Sequence, residues 1–155
     1  MQLTPEVTPI NILAVEDNPA DVRLLAEALK DATVPNDLQV AATGREALDV
    51  LFGRAPDQAG HIPDIVLLDL NLPDLSGHEV LNRIKSHPNL RRIPVVVLTS
   101  SEEERDVAES YRRYANSYIT KPADYDSFIR VVKTLEAFWL STATLPRGSD
   151  RQRRA

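Results

Sequence analysis

Pro63-Asp64-Ile65-Val66-Leu67-Leu68-Asp69-Leu70-Asn71-Leu72-Pro73 is an apolar, β-branched run that ends in one acid and then turns. Such a run reads as a strand buried on both faces, as in a parallel sheet covered by helices. A carboxylate at its end stands at the carboxyl edge of the strands, where open α/β sheets hold their ligands. Three other strand candidates also end in reactive residue types, at Glu16-Asp17, Thr99-Ser100 and Lys121-Pro122. Acid, acid, hydroxyl and ammonium on four strand ends make one site, and its chemistry points to phosphoryl transfer onto Asp69.

Outward from that run, strand and helix signals alternate. Ile10 to Val15 reads as the first strand, and Asn18-Pro19 as a helix start with Asn as N-cap and Pro at the first helical position. The helix that follows carries Val22, Leu25, Ala26 and Leu29 on one face. Asp37 to Ala42 is a weaker second strand, and Thr43 caps a helix through Ala47, Leu48, Leu51 and Phe52. Gly53 to His61 is a polar surface loop. A third helix runs through Val80, Leu81 and Ile84 and stops before His87-Pro88. Ile93 to Thr99 is the fourth strand, with its Pro at the beginning, where no ladder bond is lost. Ser100 and Ser101 ahead of Glu103 and Glu104 predict a capping box for a polar fourth helix around Val107 to Tyr114. Asn116 to Thr120 is a short fifth strand, and Tyr125, Phe128, Ile129, Val132, Leu135 and Trp139 form an apolar stripe on the last helix.

This alternation predicts an α/β fold, a single doubly wound domain with a parallel sheet covered on both faces. The flavodoxin-like (βα)5 order 2-1-3-4-5 brings the ends of strands one and three together, so Glu16, Asp17 and Asp69 converge. Residues 1–8 read as an N-terminal arm, 9–143 as the domain with an extended last helix, and 144–155 as a disordered tail. That tail holds the basic cluster Arg147, Arg151, Arg153 and Arg154.

Composition narrows the function. The chain has 155 residues, enough for one domain with a real core. Its formal net charge of −5 argues against nonspecific nucleic-acid binding. With no cysteine there is neither thiolate chemistry nor a Cys-ligated zinc. His61, His78 and His87 lack metal-ligand spacing and read as surface residues. No apolar run approaches a membrane span, and no secretory signal opens the chain, so the expected location is cytoplasmic.

Three converging carboxylates cannot all ionise cheaply without a cation. A hard divalent ion such as Mg²⁺, which takes carboxylates, waters and a phosphate, resolves the conflict. Asp17 and Asp69 are the expected ligands, with Glu16 acting through water. Asp69 is then the nucleophile, Lys121 a mobile positive charge for one phosphate oxygen and Thr99 a hydroxyl donor to another.

Taken together, Val15-Glu16-Asp17-Asn18, Leu68-Asp69-Leu70-Asn71-Leu72-Pro73 with Gly77, Leu98-Thr99-Ser100 and Tyr118-Ile119-Thr120-Lys121-Pro122 resemble a two-component response-regulator receiver domain, from about Asn11 to Leu140. Arg92 to Thr99 and the ending Phe138-Trp139-Leu140 with Thr144-Leu145-Pro146 resemble a narrower group, the stand-alone regulators that partner bacterial and cyanobacterial phytochromes. The resemblance implies a sensor histidine kinase, a phytochrome among the candidates, as phosphodonor. It adds the backbone carbonyl of Asn71 to the metal ligands. It also implies a switch in which Thr99 moves toward the phosphate and Tyr118 fills the space it leaves. Such a protein is no enzyme in the ordinary sense, since it catalyses only its own phosphorylation and dephosphorylation.

No DNA-binding output domain fits after the last helix, so the expected output is a surface. The aromatic-rich end of the fifth helix, Phe138, Trp139 and Leu140, reads as an apolar contact patch for a homodimer through the fourth helix, fifth strand and fifth helix. A haloacid-dehalogenase-type phosphatase would need a second Asp where Asn71 stands, with its nucleophile on the first strand. Nucleotide or flavin binding would need a glycine-rich loop where Glu16-Asp17-Asn18-Pro19 stands. The remaining alternative is a degenerate receiver that binds partners independently of phosphate, and the intact acid set with Lys121 argues against it.

Overall fold

The computed structural model describes residues 8–53 and 62–147. The arm up to Val7, the polar break over 54–61 with His61, and Arg151, Arg153 and Arg154 lie outside the described residues. The elements are β1 (Ile10–Val15), α1 (Pro19–Lys30), β2 (Asn36–Ala41), α2 (Gly44–Leu51), β3 (Ile65–Leu68), α3 (Gly77–Ser86), β4 (Val95–Thr99), α4 (Glu104–Arg112), β5 (Ser117–Thr120) and α5 (Tyr125–Leu135). A π-helical segment, Glu136–Thr142, continues α5.

The sheet is parallel throughout, in the order β2-β1-β3-β4-β5 that the alternation predicts. Strand parity divides the core, because successive side chains point to opposite faces. Leu13, Val15, Val66, Leu68, Val95 and Val97 face α2 and α3, where Ala47, Leu48, Val80, Leu81 and Ile84 meet them. Ile12, Ala14, Ile65, Leu67 and Val96 face α1 and α5, against Leu25, Leu29, Phe128 and Val132. Val15 pairs with Leu68 and Leu68 with Val97, so the carboxyl ends of the three central strands align.

Helix starts follow local chemistry at most positions. Asn18 Oδ1 accepts the N–H groups of Ala20 and Asp21, Thr43 Oγ1 accepts from Glu46, and Ser76 Oγ accepts from Glu79. The capping box expected for α4 does not form. Its N-cap is Glu103, which makes no side-chain cap bond. Ser101 Oγ donates to Asp106 Oδ2 at 2.6 Å and accepts the Glu103 N–H at 3.3 Å, so it stands two residues short of the N-cap of α4. Just past the Arg113 cap of that helix, Tyr114 has a φ of 70°, a left-handed conformation in an exposed, non-glycine residue.

The carboxyl-terminal reading needs two corrections, and the reading of the histidines one. Leu140 is 5% exposed and packs in the α1/α5 side of the core, so it is not a partner-facing residue. The i→i+5 winding explains this, since it carries the chain onward so that Leu135 and Leu140 both face the core. The segment from 144 is not free up to Arg147. Leu145 is buried, and the Arg147 guanidinium donates to the carbonyls of Thr8 and Pro9 and lies 3.5 Å from the buried carboxylate of Asp64. His78 and His87 are not plain surface residues either: His78 pairs with Asp106 at 3.2 Å, and the His87 ring meets Phe52 edge-on.

Candidate functional site

Four of the five strands, β1, β3, β4 and β5, each deliver one piece of the site. Glu16 follows the last residue of β1, and its N–H bonds to Ala41 O at the end of β2. Asp69 follows the last residue of β3, and its N–H bonds to Val15 O at 3.0 Å. Thr99 closes β4 and pairs with Thr120, and the Lys121 N–H donates to Thr99 O at 2.7 Å. The strand register therefore brings Glu16, Asp69, Thr99 and Lys121 to one edge.

Asp69 is 5% exposed, and both its oxygens are engaged. Oδ1 accepts the Thr99 hydroxyl at 2.8 Å and the Asn71 N–H at 3.1 Å, while Oδ2 accepts from Lys121 at 2.9 Å. Burial alone would push its carboxyl up, but the Asn71 N–H, Lys121 and Thr99 outweigh it and hold the group below the usual aspartate range. Glu16 behaves oppositely. Its burial, aided by the charge on Asp69, pushes it up to about 7 even though it is hydrogen-bonded to Lys121 and to the Asn18 N–H. Lys121 loses by burial and gains more from Glu16, Asp21 and Asp69, so it stays a cation throughout the biological range.

Glu16, Asp17 and Asp69 each offer a carboxylate oxygen within 4.8 Å of the others. This all-oxygen donor set fits a hard divalent cation.

The loop after β3 is fixed from two sides. Gly77 N–H bonds to Leu70 O, and a Cβ at Gly77 would lie 2.3 Å from Asp69 O. Glycine is required there because the start of α3 touches the backbone of the reactive residue. At the far end of the loop, Asp74 accepts the Gly44 and Arg45 N–H groups at the start of α2. Tyr118 is half-buried against the α2/α3 side of the core, and its hydroxyl donates to Ser101 O at 2.9 Å.

Two residues escaped the sequence reading. Asp74 carried no strand-end signal. Asp21, in the first turn of α1, takes the third donor of Lys121 at 2.9 Å. Its signal was there, three residues past the Asn18 cap, but an acid at that position is ordinary helix chemistry.

Residues 12–133 match the model of the response regulator receiver domain family. The chain belongs to that family. Response regulator Rcp1 of Synechocystis sp. is 44% identical over 138 residues, which cover 89% of this chain and 94% of Rcp1. The crystal structure of the phosphorylated cyanobacterial phytochrome response regulator RcpA superposes with a TM-score of 0.87 at 48% identity, covering 90% of this chain and 99% of RcpA. The Mn²⁺-bound form of Rcp1 gives a TM-score of 0.86 at 44% identity, covering 89% of this chain and 99% of that one. Receiver domains bind a divalent metal, and the acidic group at this sheet edge agrees. This receiver is a signalling domain of a two-component system, and among the described residues no helix is long and apolar enough to cross a membrane.

Proposed function

We propose that this chain accepts a phosphoryl group on Asp69 from a sensor histidine kinase, and that the kinase is a phytochrome. The observation that carries the first part is the engagement of Asp69 by Thr99, Asn71 and Lys121 beside two further acids. One Asp69 oxygen attacks phosphorus and the donor's leaving group departs, giving an acyl phosphate. Lys121 and the Thr99 hydroxyl, already on the two Asp69 oxygens, are placed to take phosphoryl oxygens. Mg²⁺ held by Asp17, Asp69, the Asn71 carbonyl and, through water, Glu16 would neutralise the charge on the transferred group. The phytochrome assignment is supported by the likeness to RcpA over nearly the whole chain. Its setting is then the cytoplasm, with the kinase.

The output we read for this domain is a surface. Thr99 and Tyr118 form the switch. Thr99 reaches toward Asp69, and Tyr118 turns in under α4 to bond Ser101 O. Phosphorylation adds about −1.5 to −2 of charge at Asp69 and biases this arrangement. The face beside it, α4-β5-α5, exposes Tyr111, Tyr114 and Tyr125, and Phe138 and Trp139 stand just beyond α5. Tyr114 keeps an exposed aromatic in a left-handed backbone, which supports a surface role. A homodimer through this face is the proposed assembly. Light scattering before and after treatment with acetyl phosphate and Mg²⁺ tests it. Phosphorylation is expected to shift wild type toward a dimer and leave Thr99→Ala unshifted. An unchanged single species in the phosphorylated wild type would sink the surface switch.

A further inference from the structure

Lys121 carries three N–H donors, and all are used, on Glu16, on Asp69 Oδ2 and on Asp21 Oδ2. Glu16 and Asp69 belong to the acidic group that suits a cation. Asp21 does not, and neither metal binding nor phosphoryl acceptance gives it a task.

Its position is nonetheless well defined. Asp21 lies in the first turn of α1, where its own N–H is held by Asn18 Oδ1 at 3.3 Å. A first-turn acid satisfies the helix dipole wherever its side chain points. Here it reaches an ammonium contributed from the far side of the sheet edge, on a lysine side chain only 7% exposed. Asp21 is also the most accessible of the three acceptors, at 24% against 8% for Glu16 and 6% for Asp69.

An ammonium with three donors in use can meet a new oxygen only by releasing one. Glu16 and Asp69 are buried, so losing their partner strands a charge away from water. Asp21 can be taken over by water at far lower cost. We propose that Asp21 is a positioning residue. It shares the Lys121 ammonium in the resting protein and is the acceptor that an incoming phosphoryl oxygen displaces. Its charge also opposes the approach of an anionic donor. Asp21 thereby sets how readily the site takes a phosphodonor without touching the reacting atoms. This rests on Asp69 being the phosphoacceptor.

The test is the rate of adduct formation against acetyl phosphate concentration in wild type, Asp21→Asn and Asp21→Glu. Asp21→Asn is expected to lower the half-saturating concentration about five-fold, the scale of one partly exposed ion pair, and to leave the maximal rate within about two-fold. Asp21→Glu should return the half-saturating concentration toward wild type. A merely structural role would lower the maximal rate and the melting temperature together, and Glu79→Gln, a first-turn acid of α3, calibrates that loss. A second readout needs neither metal nor phosphate: the ¹⁵N signal of the Lys121 ammonium should exchange faster in Asp21→Asn and stay unchanged in Glu79→Gln. Saturation curves or ammonium signals identical in Asp21→Asn and wild type would overturn the inference. An ammonium effect in a wild type that takes no phosphoryl group would instead strike the reading of Asp69.

Discussion

The two edges of the sheet use the same materials to opposite ends. At the amino edge, Asp64 is 2% exposed, accepts the Asn11 N–H at 2.8 Å and faces the Arg147 guanidinium. At the carboxyl edge, Lys121 alone faces Glu16, Asp21 and Asp69, with Asp17 nearby. Acid meets base in balance at the first edge, and a chain segment is pinned down. At the second edge the acids exceed the base, so the site stores repulsion that a cation or a proton can relieve. A buried ion pair is therefore no sign of function by itself. The excess of one sign is.

The largest effect expected from this contrast follows Lys121→Met. Removing the ammonium leaves Glu16 and Asp69 buried without a counter-charge, and metal-free urea unfolding at about pH 8 should show a loss of about 3 kcal/mol. Adding Mg²⁺ should recover part of that loss. Recovery that is absent, or a loss no larger than at the amino edge, would break the comparison.

Next is the pH response of the metal-free wild type. Glu16 titrates near 7 in the folded chain against 4.5 when unperturbed, so between these values the folded state binds more protons than the unfolded state. Stability should then fall as pH rises through that window, by at most about 3 kcal/mol. Asp69, held low, is ionised in both states there and contributes no slope. Urea midpoints that stay flat from pH 5 to about 7 would contradict this, as would a slope that survives in Glu16→Gln.

Arg147→Ala sharpens the other side. Its guanidinium is one-third exposed, so the loss should be about 1 kcal/mol, and Mg²⁺ should not alter it. The smallest change belongs to neither edge and sets the baseline. Tyr114→Gly relieves a left-handed non-glycine residue and should raise stability by about 0.5 to 1 kcal/mol, with no dependence on metal. Thermal unfolding of the two variants with and without Mg²⁺ checks both.

Much of the carboxyl edge was legible in the chain because strand ends are local signals. An apolar run fixes where a strand stops, and in the 2-1-3-4-5 order the register then dictates which ends are neighbours. Glu16, Asp69, Thr99 and Lys121 fell to that reasoning together. The amino edge was not legible, because its partners are far apart in sequence, Arg147 lying 138 residues from Pro9. Nothing in a basic tail says which of its arginines finds a buried carboxylate. Leu140 misled for a related reason: its place depends on a π-helical turn that apolar spacing does not announce. The missing cap of α4 is a matter of register: the helix starts after Glu103, two residues past Ser101, whose hydroxyl accepts the Glu103 N–H and donates to Asp106 instead of bonding a first-turn N–H.

The central claim is that Asp69 is the group that reacts. Intact-protein mass after incubation with acetyl phosphate, with and without Mg²⁺, on wild type and Asp69→Asn, tests it most directly. The account predicts one phosphoryl adduct that requires Mg²⁺ and vanishes in Asp69→Asn. No adduct on the folded, Mg²⁺-supplied wild type, or an adduct that survives in Asp69→Asn, would contradict it.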